Sequence, residues 1–438
     1  MKRLTLLIVL CVCMLGSAKA QWATQAIKFS RGGMVTMSLA APDANNLWAI
    51  GIDTSYTRLN VEFSRSTNGG TTWTSGTIGS TLFLNQITAI AAIDGNTAWA
   101  TVLDLPAMKG KIYKTTNGGT SWTQQGNSAF AAPDGSPFGI HFFDANNGVV
   151  FGDPNGGYME VHTTTNGGTT WTRVPQANLP AMLPGEYTTG QFHVNGGNVW
   201  LATDAGRIFR STNKGLTWTA FNTNKNDVMN ITFKDAQNGL MIGDGELMRT
   251  TNGGQTWTKV IYNGQYHFAG LAYVPGTSGT YVSTGFEQGD EGSSYSTDNG
   301  TTWQTLESTR VHTVVKFINA TTGWSGGITS SATAGGVHRF TGSLGTTTAT
   351  PEAFAPNQIS VYPNPTKGIF NISATDLTAK ALQVSVRNAV GQEVLTLSQP
   401  VSGQNQTVTA DLSNQPKGMY FVTLVAGEQV LTQKLVVE

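Results

Sequence analysis

Six acidic residues recur at one place in a repeating pattern: Asp53, Asp104, Asp153, Asp204, Asp244 and Glu287 each open a turn between two apolar runs. Gathered around one mouth, such carboxylates would bind a cation or the hydroxyls of a sugar. A single pair held about 5 to 10 Å apart would suit glycoside hydrolysis. Asp is also the favoured first residue of a tight turn, as in Asp204-Ala-Gly206 and Asp244-Gly245, and turn chemistry returns with any repeat. The turn account therefore carries more weight than the ring. Glu186 and Tyr187 stand apart, in the long connection from Arg173 to Gly190, within Leu183-Pro-Gly-Glu-Tyr-Thr-Thr-Gly190. Long loops on a rigid scaffold are where function concentrates, so Glu186, Tyr187 and Asp153 are the candidate catalytic residues. Gly289-Asp-Glu-Gly292 is a further candidate, as a calcium turn or a solvated acidic turn. The six histidines show no metal-ligand spacing, so neither a metal nor a cofactor is expected.

The elements that position these residues are set by an octet. Ser66-Thr-Asn-Gly-Gly-Thr-Thr-Trp73 returns as Thr115–Trp122, Thr164–Trp171, Ser211–Trp218, Thr250–Trp257 and Ser296–Trp303, at steps of 39 to 49 residues. That period is the mark of solenoids and propellers. The third residue (Asn68, Asn117, Asn166, Asn213, Asn252, Asp298) offers an oxygen to backbone N–H groups a residue or two ahead. The fifth is always Gly, free to take positive φ, and Trp then opens a strand with a large surface to bury. The octet resembles the Asp-box, or bacterial neuraminidase repeat. The resemblance implies a β-propeller with each box at the turn between third and fourth strands of a blade. It does not imply sialidase chemistry, since in that family the boxes lie on the face away from the active site. Asn68, Trp73, Asn117, Trp122, Asn166, Trp171, Asn213, Trp218, Asn252, Trp257, Asp298 and Trp303 are thus structural.

Around the octet a unit reads as four short strands, shown by Ile231–Gly239, Leu240–Asp244, Glu246–Thr250 and Trp257–Val260. A seventh unit, Thr313–Thr341, stops where its box and fourth strand should follow, whereas Gln21–Ile27 is a lone strand opening with Trp. The expectation is an all-β chain: a seven-bladed β-propeller over 21–341, with strand 21–28 completing blade seven and leaving no open edge. A Gly/Thr/Ala/Pro linker covers 342–358, and a small Ig-like β-sandwich covers 359–438. In that last segment Tyr362-Pro-Asn-Pro365 with Gly368, Gly391-Gln-Glu-Val394, Leu412–Tyr420 and the terminal Gln-Lys-Leu-Val-Val run resemble the type IX secretion system C-terminal sorting domain. The resemblance implies export into the periplasm, passage across the outer membrane and partnership with that secretion machinery. Leu183-Pro-Gly-Glu186 with Ile208–Asn213 is similar to propellers grouped with photosystem II assembly factors.

Residues 1–20 read as a secretory signal peptide: Lys2 and Arg3, an apolar Leu4–Leu15, then Ala18-Lys19-Ala20. Both cysteines, Cys11 and Cys13, fall inside it, so disulfides and thiol chemistry are excluded from the mature chain. No transmembrane segment is expected there either. Without this segment 23 basic residues face 26 acidic ones, which excludes a basic stripe for nucleic acid. For a sialidase, three arginines would converge on a substrate carboxylate. Arg65, Arg210 and Arg249 sit just before boxes as scaffold, leaving Arg31, Arg58, Arg173, Arg207 and Arg310. The expected role is recognition of a glycan or surface protein by a secreted or cell-surface protein without chemistry of its own, with a sialidase-like glycoside hydrolase as the alternative.

Overall fold

The octet closes through two side chains. Ser66 Oγ accepts from the N–H groups of Asn68 (3.3 Å) and Gly70 (2.8 Å) and donates to Asn68 Oδ1. Asn68 Oδ1 in turn accepts from Thr72 N at 2.9 Å, and its Nδ2 donates to Thr72 Oγ1. The bonds around Thr115, Thr164, Ser211 and Thr250 repeat this scheme, and Asp298 keeps the acceptor half. The third residue therefore reaches four residues ahead, farther than the one or two the sequence suggests. Two successive positive-φ residues, such as Gly69 (68°) and Gly70 (88°), curl position seven back over position three. The hydroxyl at position one, to which sequence reasoning gave no part, satisfies the nearer N–H groups. Replacing Asn213 by Ala removes the acceptor for Thr217 N and the donor to Thr217 Oγ1. A loss of about 1 kcal/mol is expected in urea unfolding; an unchanged midpoint would show that water replaces the amide.

A computed structural model describes residues 21–54, 61–78, 85–126, 129–130, 135–344, 358–375, 381–388, 393–401, 405–426 and 429–438. The signal segment with both cysteines, most of the linker, Arg58 and Gly391-Gln392 lie outside these residues. The chain divides into two compact units, 1–345 and 346–438.

In the first unit every box forms the turn between the third and fourth strands of an antiparallel blade. The first blade runs Met34–Ala40, Leu47–Asp53, Glu62–Ser66 and Thr74–Thr77. Comparable four-stranded sheets begin at Asn85, Pro137, Thr188, Val228 and Gly270. Val315–Asn319, Thr322–Ser331 and Ala334–Phe340 make the last, and Trp22–Ala26 pairs antiparallel along Ala334–Phe340, with Trp22 opposite Phe340 and Ala26 opposite Gly336. A single pairing of Val35 with Ile328 joins this last sheet to the first blade. From the first blade to the last, each innermost strand contacts the next in succession, and Met34–Ala40 meets Thr322–Ser331 of the last sheet.

Second strands are buried almost throughout, because neighbouring blades cover both their faces. Their indoles stitch blade to blade. Trp99 donates to Gly167 O (3.0 Å), Trp200 to Gly253 O (2.9 Å) and Trp324 to Gly69 O (3.2 Å), each a carbonyl in the next blade's box. Trp48, Trp99, Trp200 and Trp324 are fully enclosed, more so than the box tryptophans, of which Trp122 and Trp257 are only partly buried. Trp99 stacks on Phe142 and Trp200 on Phe233 with centroids 3.5 and 3.8 Å apart. Arg65, Lys114 and Arg210, from the position before their boxes, reach carbonyls of the following blade.

The second unit places two sheets around one core. Ile359–Tyr362, Ile369–Ala374 and Gln406–Asp411 form one; Glu393–Pro400, Ala381–Asn388, Gly418–Ala426 and Gln429–Val437 form the other. Phe370 and Ile372 meet Val384, Val386, Val422 and Leu424 between them. Asn364 ties the Tyr-Pro-Asn-Pro turn to the last strand, donating to Lys434 O and accepting from Val436 N.

Candidate functional face and channel

Three of the six turn carboxylates, Asp53, Asp204 and Asp244, are joined to the loop entering their own blade. Asp204 Oδ1 accepts from Tyr187 N at 2.8 Å, and Asp244 accepts from Asn226 N and Asp227 N. Both thereby fasten a second-to-third turn to the connection entering the same blade. Asp53 does so through Arg31 Nε at 3.0 Å, and that arginine also lies 3.6 Å from Glu62. Asp104 pairs inside its own hairpin with Lys111 (2.8 Å), which holds its carboxyl below the usual range. In the sixth blade the corresponding carboxylate is Asp290, not Glu287. Asp290 accepts from Phe268 N (3.1 Å) and faces His267 Nδ1 (2.9 Å), while exposed Glu287 offers only its carbonyl, to Asp290 N. The longer turn there moves the useful acid three places on. Glu291 meanwhile accepts from Gly289 N, so Gly289–Gly292 closes upon itself.

Glu186 is enclosed. Its carboxylate accepts from Thr203 Oγ1 (2.6 Å), Leu183 N (2.8 Å) and the Arg207 guanidinium, whose Nε lies 2.8 Å away. Burial pushes its pKa up, but the Arg207 and Thr203 hydrogen bonds outweigh that and bring it below the ordinary value. Tyr187, next to it, is 54% exposed. The remaining arginines are engaged locally as well: Arg173 donates to Asn155 O, and Arg310 lies 3.6 Å from Glu307.

Asp153 differs. It is partly buried, and desolvation raises its pKa. Two further constellations were not visible as sequence motifs. Glu160 and His162 meet at 3.0 Å in a buried pair. His312 forms a relay, its Nδ1 2.5 Å from Ser325 Oγ and its Nε2 2.7 Å from Glu307 Oε1. Its order is that of a nucleophilic triad, yet Ser325 and His312 are fully buried, and the relay braces the last blade. Beside it His338 faces Thr24 of the pairing N-terminal strand (3.0 Å) and the Val311 carbonyl (3.2 Å). A carbonyl only accepts, so Nε2 carries the proton and Nδ1 accepts from Thr24.

Burial, and secondarily His312, holds His338 down at about 4. Its folded pKa lies below the unfolded one, so the stability is complete above about pH 6.5 and declines as pH falls toward 4. The decline from this residue is expected to reach about 3 kcal/mol, read from urea midpoints against pH. His338→Gln should flatten that slope.

The innermost strands line the channel. One cavity of about 710 Å³ is walled by residues of every blade from Met37 to Phe317, Lys234 and Lys316 being its charged ones. Another, of about 570 Å³, brings His141, His193 and Lys316 together with Asp144. Among the described residues no cluster of three or more His, Cys, Asp or Glu could hold a metal, and no helix is long and apolar enough to cross a membrane.

Residues 360–438 match the secretion system C-terminal sorting domain, and residues 107–225 match the photosynthesis system II assembly factor YCF48. Among solved structures, YCF48 bound to a D1 peptide superposes with a TM-score of 0.55 at 17% identity, covering 74% of this chain and 96% of that one. YCF48 from Cyanidioschyzon merolae gives 0.54 at 15%, covering 74% and 99%. An ancestral GH74 enzyme gives 0.50 at 13%, covering 94% and 64%. No curated protein matches the chain. The class is thus a β-propeller protein. This chain carries in addition the sorting domain of type IX secretion, which implies release from the cell or display at its surface.

Proposed function

We propose that the propeller, a ring of seven blades completed by strand 21–28, is a recognition module for a glycan or a surface protein, without catalysis of its own. It is delivered by a signal peptide at 1–20 and by an Ig-like sorting domain at 359–438. The observation that carries this reading is the engagement of the acids: Asp53, Asp104, Asp204, Asp244 and Glu186 each hold a loop, a hairpin or a buried arginine. A hydrolase needs one proton donor and one free carboxylate across a sugar. The YCF48 structure with a D1 peptide adds support, as a propeller engaged with a peptide.

Asp153 favours a second reading, a glycoside hydrolase of sialidase-like type, because a carboxyl raised by burial is what a general acid needs. The test is turnover of sialosides and plant and host glycans beside a glycan array. Array binding without turnover supports recognition. Turnover abolished by Asp153→Asn would establish the hydrolase instead.

A further inference from the structure

Lys316 lies on the innermost strand Val315–Asn319 and is exposed within the channel, yet its ammonium has no ion pair or hydrogen bond among the described residues. The other charges nearby are engaged. Lys234 Nζ donates to Ser278 O at 2.9 Å. Asp144 accepts from Asn146 N and Asn147 N and lies 3.6 Å from Lys214. On the opposing strands stand His141 and His193, each partly exposed to the same cavity. Three groups that can carry positive charge, from three blades, thus share one cavity with a single carboxylate that already has its partners. The channel walls desolvate the Lys316 ammonium and lower its pKa, a cost that a counter-charge would offset, and a channel rich in one sign concentrates ions of the other.

We propose that this channel site binds one anionic group, a carboxylate or sulfate, on Lys316, with His141 and His193 as further donors. The proposal rests on the recognition reading and narrows its ligand to an acidic one. Burial and then Lys316 hold His141 at about 4, and burial, Lys316 and His141 hold His193 at about 3. An anion seated among them reverses the Coulombic part and raises both values, so binding takes up protons and tightens as pH falls. The groups facing the two imidazoles are Lys316, Asp144, each other and, along the channel, Lys234.

The experiment is calorimetric titration of the full chain with trigalacturonic acid, sodium sulfate and neutral maltotriose, at pH 7.5 and pH 5.5 in two buffers of different ionisation heat. At least one acidic probe is expected to bind, at least tenfold more tightly at pH 5.5, with proton uptake. Sulfate binding would mark a free-anion site; trigalacturonate alone would mark an acidic sugar. Lys316→Met should weaken binding at least tenfold, and His193→Gln should weaken it less and reduce its pH dependence. Failure of both acidic probes at pH 5.5, or Lys316→Met binding them as the parent does, overturns the proposal. Binding of maltotriose or an array glycan with Lys316→Met unimpaired would leave recognition standing and remove only the anionic requirement. Turnover would instead remove the recognition reading.

Discussion

Replacing Trp22 by Ala is expected to cost about 3 to 5 kcal/mol, the range for deleting a large buried aromatic. Trp22 is 1% exposed, donates from Nε1 to Ser293 Oγ (2.9 Å) in the sixth blade, and packs against Phe340, Phe317 and His312 with centroids 5.2, 5.9 and 5.1 Å away. It therefore joins the N-terminal strand to two blades at once. Removing residues 21–28 goes further, since Ala334–Phe340 would then present an unpaired edge. That variant is expected to unfold at lower urea and to form higher oligomers on size exclusion. Trp22→Phe should recover about half the loss, as the rings still pack while the bond to Ser293 is gone. A loss under about 1 kcal/mol for Trp22→Ala, against the range for such deletions, would mean that the ring closes through Val35 and Ile328 without this strand.

The repeat was legible because its spacing is carried by residues with backbone roles. Gly70 and its equivalents need positive φ whatever surrounds them. The deep tryptophans were not, although they are larger anchors. Trp48, Trp99 and Trp200 precede their boxes by 18, 16 and 11 residues, because the second-to-third turn varies in length and carries the indole out of register. The same variation hid Asp290 behind Glu287. The channel site was hidden for another reason. His141, His193 and Lys316 lie on separate blades, and only closure of the ring brings their innermost strands to one cavity. Composition told the types of charge present but not which would be left without a partner.

Glu186→Gln is expected to destabilise the protein by about 3 to 5 kcal/mol, because it leaves the Arg207 guanidinium enclosed without its counter-charge. The two side chains are 0% and 14% exposed, so solvent screens little of that loss. Long connections invite a catalytic assignment for their acids, and Glu186 is a candidate on that ground. Its surroundings argue otherwise: Thr203, Leu183 N and Arg207 account for its acceptor directions, and its lowered pKa makes it a poor proton donor at neutral pH. Because the folded pKa is depressed, the contribution is full above about pH 4.5 and is lost as pH falls through the folded value. The double variant Glu186→Met with Arg207→Met should be more stable than either single one, as removing both charges leaves neither unpaired. Urea unfolding of the three variants at pH 7 and pH 4 separates brace from catalyst. A brace gives large single losses, recovery in the double variant and smaller differences in acid. A catalytic carboxylate would give small losses at both pH values with turnover abolished.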